Sequence, residues 1–250
     1  MTGNLICDLD GVVYRGKEEV PGSALALEAA GWRIIFCTNN SARTPEEVAE
    51  RIRSITGYEG RAEQVITSAA AAAEMLAESR PPTFVLGGVG VTAALEKEEI
   101  PVTRVGSEAQ AVVVGLATGL TYDWLREASS AVMQGARLIG TNDDATFPAE
   151  DGLWPGAGAI LAAVERASGA KAEIAGKPFP PMRKLIRKNL GPGPVWVVGD
   201  RPDTDLALAE AEPGWRSALV LTGVSAGGNL DHAPDLVASN LAEVARILLG

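Results

Sequence analysis

The chain has 250 residues, 22 of them basic and 32 acidic, so its formal net charge is −10 at neutral pH. Its 46% hydrophobic and 22% charged residues are typical of a globular protein that can bury a core, in one large domain or two modest ones. An acidic chain without a polybasic run is a poor partner for phosphate backbones, so we predict no nucleic-acid partner.

No segment approaches the roughly 20 consecutive apolar residues that a membrane helix needs, so we predict no membrane association. The beginning of the chain has no basic stretch followed by a long apolar one, which predicts a cytoplasmic protein without a secretory signal. Cys7 and Cys37 lie in apolar, strand-like runs and are expected to be reduced core residues. Because His232 is the single histidine, histidine-based metal sites are nearly excluded.

Short β-branched runs alternate with longer segments of helical period, a pattern that predicts an α/β fold around a mostly parallel sheet. The predicted strands are Asn4–Leu9, Arg33–Thr38, Gln64–Thr67, Thr83–Leu86, Ala111–Gly115, Leu138–Thr141, Val195–Val198, Ala218–Leu221 and Leu236–Ala238. One helix is expected from a Thr44 cap to about Ser54, since Pro45 suits the first helical position. A second should run from about Ser68 to Ser79.

Proline-containing joints at Ser79–Pro82 and Ala175–Pro181 interrupt this pattern. The residues between the joints have their own alternation of strands and helices and are numerous enough to form a second domain. We therefore predict a discontinuous core of residues 1–80 and 175–250, and an inserted domain of residues 81–174.

Two acids, Asp8 and Asp10, follow the first predicted strand, at the sheet edge where open α/β folds bind ligands. Residues two apart on an extended chain point the same way, so both carboxylates can converge before Gly11 lets the chain turn. Such a pair suits a hard cation with oxygen ligands. The alternative is a turn that is merely rich in Asp and Gly.

Polar residues also follow two later strands. Thr38, Asn39, Asn40 and Ser41 offer neutral donors that suit phosphoryl oxygens, although one of them is enough to open the next helix. The strand VWVVG runs into a loop whose acids are costly at a strand end unless a cation or a base engages some of them. These acids are Asp200, Asp203 and Asp205.

Two further features allow two interpretations each. Lys177, between Gly176 and Pro178, is either a fixed ammonium group or an ordinary solvated lysine. The segment Gly88–Ala93, GVGVTA, matches a relaxed dinucleotide-binding fingerprint, with Glu108 at a suitable distance, but a tight strand-to-helix turn explains its glycines equally well.

Together DLDGVVY, FCTNNS, GKP and VVGDRPDTD, in this order, resemble the four motifs of the haloacid dehalogenase (HAD) superfamily of phosphatases. In VVVGLATGLTYDWL and LIGTNDDATFPAEDGLWPGAGA, the inserted domain resembles the large α/β (class II) cap of the NagD-like, or 4-nitrophenylphosphatase, branch. The resemblance implies an α/β fold with a Rossmann-like, doubly wound parallel-sheet core and an inserted α/β cap domain.

By the same resemblance, Asp8 would be the nucleophile that forms an aspartyl phosphate, and Asp10 the general acid and base. Mg²⁺ would be held by the Asp8 carboxylate, the Asp10 backbone carbonyl and Asp200. Lys177 would offset charge on Asp8 and on the phosphoryl group. Asp205 would orient Lys177 or a metal-bound water, while Asp203 has no family role and is expected to be solvated.

Phosphate and substrate contacts are also implied. Thr38 and the Asn39 amide would bind phosphate, with Gly11 and Asn40 in the same phosphate- and substrate-binding set. The loop 142–154 matches the specificity region of the branch, where Thr146 and Phe147 are expected to approach the leaving group. The alternative is that Phe147 and Trp154 pack the cap core. The loop has no basic pair, which favours a neutral leaving group such as a sugar, a nucleoside or glycerol.

The resemblance thus implies a Mg²⁺-dependent phosphatase for monoesters of small phosphorylated metabolites. Candidates are sugar phosphates, glycerol phosphate, nucleoside monophosphates, phosphoglycolate, pyridoxal phosphate and 4-nitrophenyl phosphate. A phosphotransferase or mutase on the same intermediate and a non-catalytic phosphometabolite sensor are the alternatives, and the intact Asp8, Asp10, Lys177 and Asp200 argue against the sensor. Since members of this branch often pair through their caps, the resemblance also implies a homodimer.

Overall fold

The computed structural model describes residues 3–29, 31–149, 152–223 and 233–249, so His232 lies outside the described residues. Two compact units are present. The first comprises Met1–Thr38, Pro45–Ile66 and Arg183–Gly250, and the second Asn39–Thr44 and Thr67–Met182. The core and cap boundaries at residues 80 and 175 remain predictions.

The helices and strands alternate along the chain, as the sequence predicts. In chain order they are β1 (Asn4–Cys7), β2 (Tyr14–Arg15), β3 (Glu18–Glu19), α1 (Ser23–Ala29), β4 (Arg33–Thr38), α2 (Pro45–Thr56), β5 (Val65–Thr67), α3 (Ser68–Glu74), β6 (Thr83–Leu86), α4 (Val89–Lys97), β7 (Val102–Thr103), β8 (Ala111–Val114), α5 (Tyr122–Met133), β9 (Arg137–Gly140), β10 (Thr146–Ala149), β11 (Gly152–Pro155), α6 (Ala157–Ser168), β12 (Glu173–Ile174), α7 (Pro180–Asn189), β13 (Val195–Gly199), α8 (Ala207–Glu210), β14 (Trp215–Val220), β15 (Leu236–Ala238) and α9 (Leu241–Leu249).

The first unit is built on a six-stranded sheet in the order β15-β14-β13-β1-β4-β5. Strand β1 pairs in parallel with β4 on one side and β13 on the other, and β13, β14 and β15 continue the parallel ladder. The chain therefore leaves β1 toward one edge of the sheet and returns on its other side at β13. This reversal is the switch point at which open α/β sheets bind ligands.

Burial explains why the central strands read as continuous apolar runs. All residues of β1 and β13 are buried, as expected of strands with both faces covered. Helix α2 turns Val48, Ala49 and Ile52 inward and its charged residues outward, which gives it an amphipathic period. The largest fully buried side chain of this unit is Phe36, in β4.

The second unit has its own parallel five-stranded sheet, in the order β12-β9-β8-β6-β7. Helices α5 and α6 pack together and contribute buried side chains to a separate hydrophobic cluster with β6, β8 and β9. Strands β10 and β11 form an antiparallel hairpin. The predicted α/β character of the inserted region is confirmed.

Several element ends differ from the predictions. Strand β1 ends at Cys7 instead of Leu9, because the chain turns so that Asp10 forms an isolated bridge with Tyr14. Helix α3 ends at Glu74, and residues 75–79 form turns. Strands β2, β3, β7 and β12 were not predicted, since two residues show no periodicity. The hairpin β10–β11 was also missed.

One expectation from the apolar runs holds in the structure. Cys7 and Cys37 are buried thiols outside any disulfide, so they are core residues as predicted. Within the described ranges, none of the helices combines the length and the apolar character needed to cross a membrane.

Candidate active site

Asp8 and Asp200 follow the two neighbouring strands at the switch point of the first unit. Asp8 comes directly after β1, and its N–H extends the ladder by donating to the carbonyl of Val198 at 2.9 Å. Asp200 comes directly after β13. Parallel strands end at one edge of a sheet, so this register brings both carboxylates to that edge.

Three carboxylates meet there, from Asp8, Asp200 and Asp205. One oxygen of each lies within 4.8 Å of the others, and Asp200 and Asp205 are buried. Buried like charges at such distances repel unless a cation compensates them. An all-oxygen, anionic donor set is the one that hard divalent cations such as Mg²⁺ prefer.

Asp205 reaches this cluster through a π-helical turn, Pro202–Leu206. The N–H of Leu206 donates to the carbonyl of Arg201 at 3.3 Å, and the Arg201 N–H donates to Oδ2 of Asp205 at 3.2 Å. A Cβ on Gly199 would lie 2.1 Å from Cβ of Asp205. Only glycine at the end of β13 therefore lets the Asp205 side chain pack against the strand.

The Asp200 carboxylate is enclosed by two glycines. Gly11 has a φ of +86°, and a Cβ there would lie 2.9 Å from Oδ2 of Asp200. A Cβ on Gly223, in the loop after β14, would lie 1.6 Å from the same oxygen. This loop is tied to Gly11, whose carbonyl accepts a hydrogen bond from Oγ1 of Thr222 at 2.6 Å. Sequence reasoning missed Gly223, although its place after a buried strand was a usable signal.

Gly223→Ala is expected to weaken Mg²⁺ binding about 10- to 100-fold, as changes to groups that orient metal ligands do. The physical reason is that a methyl group at residue 223 and Oδ2 of Asp200 cannot occupy the same space. Titration calorimetry would measure the binding. Gly119→Ala is the matched control, because no atom lies within 4 Å of a Cβ at that position. Equal affinities in both variants would show that Gly223 does not position Asp200.

The turn after Asp8 places Asp10 on the same side of the chain. Asp8 and Asp10 are partly exposed while Leu9 between them is buried, which is the alternation predicted for two converging carboxylates. The backbone carbonyl of Tyr14 closes the turn by accepting the Gly11 N–H at 2.8 Å. Burial, followed by the negative charge of Asp10, raises the pKa of Tyr14 well above its usual value.

Two other predicted residues of the first unit have clear surroundings. Thr38 is the last residue of β4 and is buried at the sheet edge to which Asp8 also belongs. Asp203 is mostly exposed, and its carboxylate pairs with Arg201 at 2.6 Å, as expected of a solvated residue.

In the second unit, Lys177 is only 2% exposed, so the alternative of an ordinary solvated lysine is wrong. Its backbone N–H donates to Oδ1 of Asn39 at 2.8 Å. Nδ2 of Asn39 donates to Oδ2 of Asp144 at 3.1 Å and to the Lys177 carbonyl at 3.3 Å. These bonds engage the Asn39 side-chain amide, and Asn39 as a phosphate contact stays a prediction.

Asn40 and Ser41 serve the local structure of this segment. Oδ1 of Asn40 accepts the N–H of Ala42 at 2.9 Å, which forms a turn. Ser41 is buried, and its Oγ accepts the N–H of Leu116 and the Thr141 hydroxyl, each at 3.1 Å. Asn40 as a substrate contact stays a prediction.

The GVGVTA segment has a packing explanation. A Cβ on Gly90 would lie 2.4 Å from the carbonyl oxygen of Arg43 and 2.6 Å from that of Ser41. The Gly90 N–H points to the carbonyl of Ala42 at 3.3 Å. The start of α4 thus packs on the chain's own 41–43 segment, and this favours the tight-turn interpretation over dinucleotide binding.

Thr146 and Phe147 lie on β10. Thr146 is exposed and Phe147 half-buried, with its ring packed edge-on against Trp154 of β11 at a centroid distance of 6.2 Å. Trp154 is 46% exposed, and neither ring belongs to the hydrophobic cluster of the second unit. This placement favours a surface role for the pair over a role in the cap core.

Comparison with known proteins gives consistent matches. A family model described as haloacid dehalogenase-like hydrolase matches residues 5–101, and a second, HAD-hydrolase-like, matches residues 174–244. The chain is 35% identical over 227 residues to an acid sugar phosphatase of Staphylococcus aureus, an alignment that covers 88% of this chain and 86% of that protein.

Solved structures agree with the sequence matches. The glycerol phosphate phosphatase of Mycobacterium tuberculosis in complex with magnesium is 31% identical, with a TM-score of 0.89, and the match covers 98% of this chain and 78% of that one. The 4-nitrophenylphosphatase of Thermotoga maritima is 31% identical, with a TM-score of 0.88 over 98% of this chain and 97% of the other.

Proposed function

Because the chain belongs to the haloacid dehalogenase-like hydrolases and is a phosphatase of their NagD-like, 4-nitrophenylphosphatase branch, we propose that it hydrolyses monoesters of small metabolites through an aspartyl phosphate. The observation that carries the proposal is the cluster of Asp8, Asp200 and Asp205 at the switch point. Three convergent carboxylates at a ligand-binding edge fit metal-assisted phosphoryl transfer.

The cofactor is Mg²⁺, which the donor set fits and with which a close structural relative is solved. Asp8 and Asp200 would hold it by their carboxylates and Asp10 by its backbone carbonyl. Asp205 would bind it directly or orient its surroundings, because its carboxylate lies in the same cluster. When bound, the ion neutralises phosphoryl charge that would otherwise repel the attacking carboxylate.

In the first half-reaction, a carboxylate oxygen of Asp8 attacks phosphorus. The new phosphorus–oxygen bond forms as the ester bond to the leaving alcohol breaks. Asp10, in its protonated form, donates its proton to the departing alkoxide oxygen. Asp8 and Asp10 are both partly exposed while Leu9 between them is buried, which is consistent with both carboxylates meeting a substrate.

In the second half-reaction, the Asp10 carboxylate accepts a proton from a water molecule whose oxygen attacks phosphorus. The bond between phosphorus and Asp8 breaks, inorganic phosphate leaves, and Asp8 and protonated Asp10 are regenerated. Thr38, the Asn39 amide and Gly11 are proposed to bind phosphate oxygens, and Lys177 to offset negative charge. The Lys177 burial supports a fixed ammonium group.

For the substrate, we favour a sugar or polyol phosphate. The relatives are named for sugar, glycerol and 4-nitrophenyl phosphates, and all three have neutral leaving groups. The loop 142–154 contains four acidic residues and no Lys or Arg, so it disfavours a second anionic group on the substrate. Phosphoglycolate and pyridoxal phosphate are therefore expected to rank below glycerol and sugar phosphates.

The test is phosphate release from a panel of monoesters, with Mg²⁺ and with chelator. Metal-dependent hydrolysis of glycerol or sugar phosphates is the expected result. Transfer of the phosphoryl group to an added alcohol instead of water would support the phosphotransferase alternative. Binding of the monoesters without turnover would support a sensor and contradict the proposal.

Two further proposals come from the family resemblance. The protein is proposed to form a homodimer through its caps, and a monomeric mass by light scattering at micromolar concentration would contradict this. A cytoplasmic location is likewise a proposal, which cell fractionation would test.

A further inference from the structure

The Asn39 side chain holds both peptide groups that flank the α-carbon of Lys177. Oδ1 accepts the Lys177 N–H at 2.8 Å, and Nδ2 donates to the Lys177 carbonyl at 3.3 Å. The orientation of the carboxamide follows, because only its oxygen can accept from an N–H. Two contacts on the same backbone unit fix where the lysine side chain begins.

The same carboxamide is tied to a loop of the inserted sequence. Nδ2 of Asn39 donates to Oδ2 of Asp144 at 3.1 Å. The Asp144 N–H donates to Oδ1 of Asn142 at 3.1 Å, and Nδ2 of Asn142 donates to the Asn39 carbonyl at 2.6 Å. A closed ring of hydrogen bonds therefore joins Asn39 to residues 142–144.

Close packing leaves this ring little freedom. A Cβ on Gly176 would lie 2.5 Å from Oδ1 of Asn39, and a Cβ on Gly156 would lie 2.3 Å from the Asp144 carbonyl oxygen. The Gly158 N–H also donates to that carbonyl at 3.0 Å. The loop thus packs on the first residues of α6. Asp144 therefore cannot move without either moving Asn39 or breaking the ring.

The loop continues directly into β10, where Thr146 and Phe147 are proposed to approach the leaving group. We infer that Asn39 and Asp144 are positioning residues that set the place of the buried Lys177 side chain and couple it to this substrate-facing hairpin. The catalytic consequence rests on the proposed function, which gives Lys177 its role in charge neutralisation. The placement of Lys177 itself does not depend on that role.

The first test measures how accessible the Lys177 side chain is, and it does not depend on catalysis. Amine acetylation followed by peptide mass spectrometry compares Lys177 with Lys171, whose side chain is 89% exposed. Lys177 should react more slowly than Lys171 in the wild type, because its side chain is buried. Asn39→Ala and Asp144→Ala should each speed its acetylation several-fold. Asp123→Ala is the control, since it removes an exposed carboxylate elsewhere in the same unit.

The second test is kinetic. Asn39→Asp keeps the acceptor for the Lys177 N–H but sets two carboxylates against each other, and it should lower kcat about 100-fold, the effect of misplacing a catalytic group by about 1 Å. KM should change little, whereas the thermal midpoint should fall, because the two carboxylates repel each other. The swap Asn39→Asp with Asp144→Asn restores one N–H···O bond between the two residues and should recover at least about tenfold in kcat.

The outcomes separate the two proposals. Unchanged acetylation of Lys177 in Asn39→Ala and Asp144→Ala would overturn the positioning role, whatever the activity. If Lys177 is acetylated faster in both variants but the wild-type protein hydrolyses no monoester, the placement of Lys177 is upheld and the proposed function is rejected. A swap that restores the thermal midpoint but not kcat would reject the coupling to catalysis, because the ring would then serve stability alone.

Discussion

Asp8→Asn is expected to lower the rate of 4-nitrophenyl phosphate hydrolysis by at least about 10⁴-fold, because the amide cannot act as the nucleophile of a covalent mechanism. The substitution preserves the shape of the side chain. It also leaves in place the N–H of residue 8 that donates to the Val198 carbonyl, so folding should be unaffected. The measurement is phosphate release at fixed times, with circular dichroism as a check on folding.

Asp203→Asn is the matched control for this variant. It makes the same chemical change within a few residues of Asp200, but on a mostly exposed side chain paired with Arg201. Exposed ion pairs contribute little, so its activity should stay close to that of the wild type. Substantial turnover by Asp8→Asn, above the level of a blank without protein, would exclude Asp8 as the nucleophile.

Removal of the divalent metal should cost at least about 10³-fold in turnover, since a Lewis acid contributes several kcal/mol and each 1.4 kcal/mol is about tenfold. Asp200→Asn should have a comparable effect at millimolar Mg²⁺. The reason is that Asp200 is buried, and Gly11 and Gly223 enclose its side chain so closely that it has no other position.

A stability measurement tests the same site without activity. Mg²⁺ at 100 times its dissociation constant should raise the free energy of unfolding of the wild type by about 2.7 kcal/mol. In Asp200→Asn this increase should largely disappear, and the metal-free variant should unfold at a higher temperature than the metal-free wild type, because one of three mutually repelling carboxylates has been neutralised. The same Mg²⁺-induced increase in Asp200→Asn as in Asp203→Asn would show that Asp200 holds no metal.

Predictions from the sequence were most accurate where the signal was local. Buried parallel strands need continuous apolar residues, so β1, β4, β6, β8 and β13 were recognised by composition alone. Acids and hydroxyls directly after such strands must lie at one sheet edge, and this placed Asp8, Thr38 and Asp200. The two-residue strands are too short to show a period, and β10 and β11 each contain a proline, which is unfavourable in a strand.

The roles of particular glycines and polar side chains were not predictable. GVGVTA resembles a phosphate-binding turn, yet Gly90 is required because the carbonyls of Ser41 and Arg43 pack against it. The residues beside Lys177 allowed either a fixed ammonium group or a solvated lysine until burial and the Asn39 contacts were known. In each case the partner is far away in the sequence, so no local pattern could indicate it.

The sequence by itself indicated the fold class and the candidate acids, because periodicity and residues at strand ends are properties of short segments, and the resemblance of its four motifs to the HAD superfamily implied the reaction class. Only the tertiary structure decided that Asp205 joins Asp8 and Asp200, that Gly223 lies against Asp200, and that the Asn39 side chain bonds to both Lys177 and Asp144. These facts are distances between residues that the chain brings together only on folding. They follow from packing, in which every contact depends on the shape of both partners.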